Sequence, residues 1–420
     1  MAREMKDSGI EWIGEIPSEW NMSRLLWCLE EIKEKNDPIK TTNVLSLTNK
    51  LGVIPYEEKG NQGNKAKEDY SQYGLAFENT LVINSMNVLI GSVGISQYYG
   101  CVSPVYYVFR NTNKADLRFV NYIFQNIGFQ KELRKFANGI LEIRMRISSH
   151  DMLRRIIPLP TLEEQCRISD FLDSECTRID SVIEQTRASI EEYKKLKQAV
   201  ITQAVTKGIR PDRLMMDSGI EWIGEIPENW SIMPIKRILS EQTKKTIDGE
   251  GMQLSVNQKK GVVKSEESGA ANPSQSTVDW KYVSVNDIVF NKYKAHSGVF
   301  FVSNYDGIVT FNYSVFRCLE DNCPQFFEYQ FKTSGCIDEF KKQMRGVGDS
   351  ISPLYTRDLF KIFVAVPPAA EQYEIAHYIL ENNKEIDGFI EKKEEIIEEL
   401  NTYKKSLIYE YVTGKKEVPA

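Results

Sequence analysis

The sequence is poor in the residues that do chemistry. Only three histidines occur in 420 residues, at positions 150, 296 and 377, and none has a nucleophile elbow beside it, so each reads as a packed or surface side chain. The seven cysteines are an odd number, none sits in a C-x-x-C pair, and the nearest neighbours, Cys318 and Cys323, have no set of ligands at zinc spacing. Free thiols in a reducing compartment follow. No apolar run approaches the roughly 18 residues a membrane crossing requires, and the opening MAREMKDSGIEW lacks the apolar stretch of a signal peptide, which makes a cytoplasmic protein the expectation. A phosphate-cradling G-x-x-x-x-G-K-[ST] is missing, because Gly414-Lys415 has neither the earlier glycine nor the hydroxyl residue. The nearest string to an Asn/Asp-Pro-Pro-aromatic loop, Asn272-Pro273-Ser274-Gln275, lacks the second proline and the aromatic. These absences argue against a methyltransferase and a translocase, and the chain reads as non-catalytic.

Proline and glycine are also absent from Thr161 to Lys207, where apolar residues recur three and four apart at Ile168, Phe171, Leu172, Ile179, Ile183, Ile190, Tyr193, Leu196 and Val200. That spacing predicts one amphipathic helix, with Thr161 as N-cap, acids in the first turn and Lys207-Gly208 at the end. About 45 residues at 1.5 Å each reach roughly 65 Å, the length of a spacer. The helix occurs twice. An offset of 207 carries Pro160 onto Pro367, Glu164-Gln165 onto Glu371-Gln372, Ile179-Asp180 onto Ile386-Asp387, and Val205-Thr206 onto Val412-Thr413. Two apolar stripes of equal length can bury each other.

A second repeat marks the boundary between halves: DSGIEWIGEIP stands at 7 to 17 and again at 217 to 227, each time followed by a tryptophan, Trp20 or Trp230. This strip, with Trp12, Ile13 and Ile16 and again Trp222 and Ile223, is expected to dock on a neighbouring unit. Behind it, each half has a region of short strands rich in Val, Ile and Tyr with Gly and Asn punctuation. Val108-Phe109-Arg110 matches Val315-Phe316-Arg317, and the basic pair Arg134-Lys135 matches Lys341-Lys342. The loops between these landmarks differ almost completely. A scaffold that is kept while its loops are rewritten suggests two modules doing one job on two targets.

Hydrophobic residues make up 41% and aromatic residues 11%, as in ordinary globular protein, and 420 residues suit two to four domains. The expected boundaries are 1–158 and 210–366 for two globular α/β domains, with spacer helices at 159–209 and 367–420. The fold class is α+β, with the two domains joined by two long antiparallel coiled-coil helices in a pseudo-two-fold repeat. The net charge of -6 is unevenly spread. The second helix alone, 369 to 412, holds eleven acids and five lysines, whereas 131 to 157 holds seven Arg or Lys against three acids. Local basic patches therefore coexist with an acidic total.

The order of globular region, P-x-P with an E-Q-containing long helix, second globular region and second such helix resembles the specificity subunit of a type I restriction-modification system. The residues that carry the resemblance are Pro158-Leu159-Pro160 with Glu164-Gln165, Pro367-Pro368 with Glu371-Gln372, Ile147-Ser148, Ile351-Ser352, Thr413-Gly414-Lys415 and the duplicated strip. The resemblance covers essentially the whole chain. One departure is Ala369-Ala370 at the start of the second helix, which weakens its N-cap. The resemblance implies two target-recognition domains, each reading one half of an interrupted asymmetric sequence in double-stranded DNA. It also implies helices that act as a ruler and bind two modification subunits, which methylate adenine, and through them restriction subunits. S-adenosylmethionine, magnesium and ATP would belong to those partners, and no cofactor to this chain. Glu164, Gln165, Glu371 and Gln372, with the strip, would then dock partners at the helix ends. The competing reading is a protein-binding scaffold on a coiled-coil hairpin.

Base contacts call for Arg, Lys, Asn, Gln and aromatic residues on loops that reach a groove. In the second half, Asn291, Lys292, Tyr293, Lys294 and His296 directly follow a strand. Their counterpart in the first half is read as Gly91 to Tyr99, which is small and polar, so Gln97, Lys65 and Lys67 with the loop from Asn61 to Asn64 become candidates. Arg134, Lys135, Lys341 and Lys342 repeat between halves and suit phosphates, which both half-sites share; Arg144, Arg146 and Arg345 join them.

Overall fold

A computed structural model describes residues 3–48, 51–60, 69–139, 145–258, 260–267, 277–344 and 353–419. The chain forms two compact units, one of Met1–Thr186 with Glu394–Ala420 and one of Arg187–Lys393.

The first unit holds two four-stranded sheets. One is antiparallel, in the order Leu29–Glu31, Tyr106–Asn111, Thr80–Asn84, Val93–Ser96. The other runs Gly52–Pro55, Val44–Thr48, Gly100–Val102, Gly74–Ala76 and includes one parallel pairing, of Cys101 with Val44. Helices α1 (Leu117–Gln125) and α2 (Ile127–Arg134) follow the last strand. Each starts where a short polar side chain satisfies the free backbone donors of the first turn: Asp116 accepts from Arg118 N at 2.7 Å and Asn126 from Gly128 N at 2.8 Å. Their apolar faces put Phe119, Phe124 and Phe129 beside Phe109 in a core where all four are fully buried. After the short α3 (Ser149–Leu153), the strand Ile156–Leu159 pairs with Asn21–Arg24 and leads into α4 (Leu162–Lys207), whose first half belongs to this unit.

The second unit repeats the plan. Its antiparallel sheet runs Leu239–Glu241, Tyr313–Cys318, Ile288–Asn291, Phe300–Val302, and α5 (Pro324–Phe331), α6 (Ser334–Gln343) and α7 (Thr356–Leu359) follow. The counterpart of the mixed sheet is two separate hairpin-like pairs, joined by a single parallel bridge between Gln253 and Ile308. Its Ile308 falls 207 positions after Cys101. The strand Phe363–Val366 pairs with Ser231–Pro234 and leads into α8 (Ala369–Val412).

Each unit therefore combines a globular region, the N-terminal part of its own long helix and the C-terminal part of the other. In both units the two helices run antiparallel. In the first, Phe171 meets Tyr411 at 4.5 Å and Lys404 Nζ lies 2.6 Å from Asp180. In the second, Tyr193 meets Phe389 at 5.7 Å and Lys197 Nζ lies 2.7 Å from Asp387. The offset of 207 carries the pair Asp180 and Lys197 onto Asp387 and Lys404, so one sequence relationship makes an ion pair in each unit. Most of the expected stripe is enclosed; Leu196 is the correction, 49% exposed, because the seam passes from Tyr193 to Lys197, four residues on along one helix face. Both helices end on a left-handed glycine, Gly208 at φ +76° and Gly414 at φ +70°. Among the described residues, no helix is long and apolar enough to cross a membrane.

Candidate nucleic-acid interface

The E-Q pair at the head of each long helix fastens that helix to its globular region. Glu164 accepts from the Trp20 indole at 2.9 Å and from Arg3 at 2.6 Å. Glu371 is held in the same way by Arg213, with one contact at 3.1 Å. Burial acts to raise the Glu371 carboxyl, but the Arg213 guanidinium outweighs it and leaves the group below the ordinary carboxylate value. The neighbouring glutamine is fully enclosed and spans two chain segments. Gln165 accepts from Asp116 N at 2.9 Å and donates to Lys114 O at 3.1 Å and Pro160 O at 2.9 Å. Gln372 accepts from Cys323 N at 2.9 Å and donates to Asn322 Oδ1 and Pro367 O, both at 2.9 Å.

The duplicated strip sits on its own unit. Trp12 packs on Phe129 at 5.5 Å and Trp222 lies against Gly335, while Ile13 and Ile223 are buried. In the first unit the end of α8 reaches the same strip, Tyr409 Oη donating to Ile13 O at 3.4 Å and Lys415 to Glu15 O. Trp12, Ile13, Trp222, Ile223, Glu164, Gln165, Glu371 and Gln372 are thus occupied inside their units. Ile13, Ile223, Gln165 and Gln372 are buried there, whereas Trp12 and Trp222 stay half-buried.

The cationic cluster of the second unit forms a tight turn between the strands Ile288–Asn291 and Phe300–Val302. Asn291 Oδ1 accepts from Tyr293 N at 3.0 Å, a 3-10 turn covers Ala295–Ser297, and Gly298 closes it at φ +68°. Tyr293 and Lys294 are exposed, whereas Ala295 is buried. Lys292 is half-buried, and burial together with Lys281 holds its ammonium below the usual lysine value. His296 presents little to solvent on one side, its Nδ1 being enclosed without a hydrogen-bond partner among the described residues.

The first unit contains the same turn seven residues before the segment that the sequence suggested. Asn84 Oδ1 accepts from Met86 N at 3.1 Å, a 3-10 turn covers Asn87–Ile90, and Gly91 closes it at φ +82°. The true counterpart of Asn291–Ser297 is therefore Asn84–Ile90, at the common offset of 207, and not Gly91–Tyr99. Matching Asn84 with Asn291 and Gly91 with Gly298 in the sequence would have found it. Gln97 is exposed in the next turn, where Ser96 Oγ donates to Tyr98 O at 2.9 Å just as Ser303 Oγ donates to Tyr305 O at 2.8 Å.

The repeated basic pairs stand at the C-terminal end of α2 and α6, exposed. Lys135 pairs with Glu132 at 2.9 Å, Lys341 with Asp338 at 2.8 Å and Lys342 with Glu339. Exposed pairs of this kind contribute little to stability and exchange readily for a stronger anion. Arg146 donates from Nε to Ser85 Oγ at 2.8 Å, which places it on the turn of the first unit. Lys65, Lys67, the loop from Asn61 to Asn64, Arg144, Arg345 and Ile351-Ser352 lie outside the described residues.

Residues 17–192 match the family of type I restriction modification DNA specificity domains. That match spans less than half of the chain. A protein assigned as the MjaX type I restriction enzyme specificity subunit of Methanocaldococcus jannaschii is 25% identical to this chain over 97% of the chain and 96% of its own length. The MjaVIII specificity subunit of the same organism is 23% identical over 55% of this chain and 51% of its own length. The fold is shared with a chain from a type I system solved to describe complex assembly and conformational transition, with a TM-score of 0.70 at 12% identity over 96% of this chain and 99% of that one. It is also shared with the crystal structure of the HsdS subunit from Thermoanaerobacter tengcongensis, with a TM-score of 0.52 at 14% identity over 96% and 98%.

The clamp residues Arg3 and Arg213 escaped the sequence reading, because nothing local ties them to glutamates 161 and 158 positions away.

Proposed function

We propose that the two globular regions each read one half of an interrupted, asymmetric duplex site. The observation that carries this reading is the repeat: one scaffold twice, with the same turns and basic pairs and with rewritten loops. A scaffold common to both suits the phosphates that every half-site has, and rewritten loops suit bases that differ. The long helices set the separation of the two readers and offer exposed faces to two modification subunits, through which restriction subunits join. S-adenosylmethionine, magnesium and ATP are bound by those partners. Arg134, Lys135, Lys341 and Lys342 contact phosphates.

Methylated adenine is mapped across the genome of cells that carry this chain with and without its cognate modification subunit. The expected result is a split, non-palindromic motif, methylated on both strands only when both proteins are present. Affinity for a duplex containing that motif falls by about 0.9 log unit per phosphate neutralised for each tenfold rise in salt, and replacing Lys341 and Lys342 by Ala lowers that slope. No new motif from an assembled complex, together with a response flat in salt, returns the chain to the scaffold reading.

A further inference from the structure

We infer that the two equivalent turns, residues 84–91 and 291–298, are the base-reading elements of the two recognition domains, with Asn87 and Lys294 in the deciding position of each. This rests on the bipartite reading above and names its residues. Four features coincide in both units. The turn begins with an asparagine whose Oδ1 accepts the amide two residues on, at 3.1 Å from Met86 N and 3.0 Å from Tyr293 N. It ends on a left-handed glycine, Gly91 or Gly298. Its second residue is tied to the segment that precedes the short helix: Ile147 N donates to Ser85 O at 3.1 Å, and Leu354 N donates to Lys292 O at 2.9 Å. Finally, the closing glycine lies against the helix that bears the basic pair. A Cβ at Gly91 would stand 2.9 Å from Gln130 of α2, and one at Gly298 would stand 3.1 Å from Ile337 of α6.

Within this common frame the side chains that point to solvent are all different. The offset of 207 sets Met86 against Tyr293, Asn87 against Lys294 and Ile90 against Ser297; Asn87, Ile90, Tyr293, Lys294 and Ser297 are exposed and Met86 is half-exposed. A backbone held rigid on both sides, beside cations suited to phosphate, with only its apex rewritten, is what direct readout of two different half-sites requires. The chemistry at the apex sets the class of base. The Asn87 amide can donate to and accept from the N7 and N6 edge of adenine, and the Lys294 ammonium can donate to N7 and O6 of guanine.

The test uses the full chain assembled with its cognate modification subunit. Wild type, Asn87→Lys, Lys294→Asn and Lys294→Ala are compared by mapping methylated adenine and by affinity for the wild-type target and for a scrambled duplex. Each substitution changes or relaxes one half-site only, the half-site read by its own domain. It lowers affinity for the wild-type target roughly tenfold to a hundredfold, while affinity for the scrambled duplex stays within about twofold. An unchanged motif with unchanged target affinity overturns the inference and leaves the bipartite reading standing, and so does an equal loss on both duplexes, which marks a phosphate contact. A wild-type motif that is not split overturns the bipartite reading, and the inference with it.

Discussion

The Trp20 indole donates to the Glu164 carboxylate at 2.9 Å, across 144 residues of chain. Arg3 shares that carboxylate at 2.6 Å, and the Glu164 side chain is only 14% exposed. Glu164→Ala leaves an indole N–H and a guanidinium without their acceptor. The expected loss is about 2 kcal/mol, read as a fall in the urea midpoint with an unchanged slope. Glu164→Gln keeps the Trp20 contact and loses less.

Gln165 and Gln372 are enclosed and each satisfies one backbone N–H and a carbonyl of the P-x-P or Pro-Pro segment. Removing either amide strands buried polar groups at a point where no other side chain replaces it. Gln372→Ala and Gln165→Ala are each expected to destabilise their unit by about 1–3 kcal/mol. Hydrogen exchange checks this locally: the Cys323 amide loses protection in the first variant and the Asp116 amide in the second.

Burial opposes the charged form of the Glu371 carboxyl, but Arg213 favours it more and holds the group below its ordinary value. A carboxylate whose value is depressed on folding contributes stability that is complete above its unfolded value and is lost as pH falls through its folded value. The second unit is therefore expected to weaken below about pH 4.5, the unperturbed value for glutamate. Denaturation at pH 6 and at pH 3.5 measures this: Glu371→Gln is less stable than wild type at pH 6, and the gap narrows at pH 3.5.

Gly335 lies under the Trp222 ring, and an added Cβ would stand 2.7 Å from ring atom Cε3. A ring fixed by its strip has little room to yield. Gly335→Ala is expected to cost about 1–3 kcal/mol, whereas Gly219→Ala, where nothing lies within 4 Å, carries only the backbone cost of its φ of +71°. Thermal melts of the two variants separate contact from backbone strain.

The long helices, the duplicated strip and the offset of 207 are all legible in the sequence, because each rests on local spacing or on identity between two stretches. A helix is set by residues three and four apart, and 46 residues of α4 follow from that rule alone. The resemblance to a family was legible for the same reason, since the landmarks that carry it are short motifs in a fixed order.

The roles of those landmarks were decided by tertiary structure. Nothing in Glu164-Gln165 says that the carboxylate meets Trp20 or that the amide spans Pro160 and Asp116, since those partners are set by how a strand pairs and where a helix starts. The strip illustrates the same limit: its apolar pattern predicts burial, and only packing shows that Gly128 and Gly335 of its own unit cover it. The counterpart of the cationic turn was misplaced by seven residues because Asn84–Ile90 has none of the charge of Asn291–Ser297. Side-chain chemistry marks what a loop touches, but the strand register around it determines which loop it is, and register is a long-range property that composition does not carry.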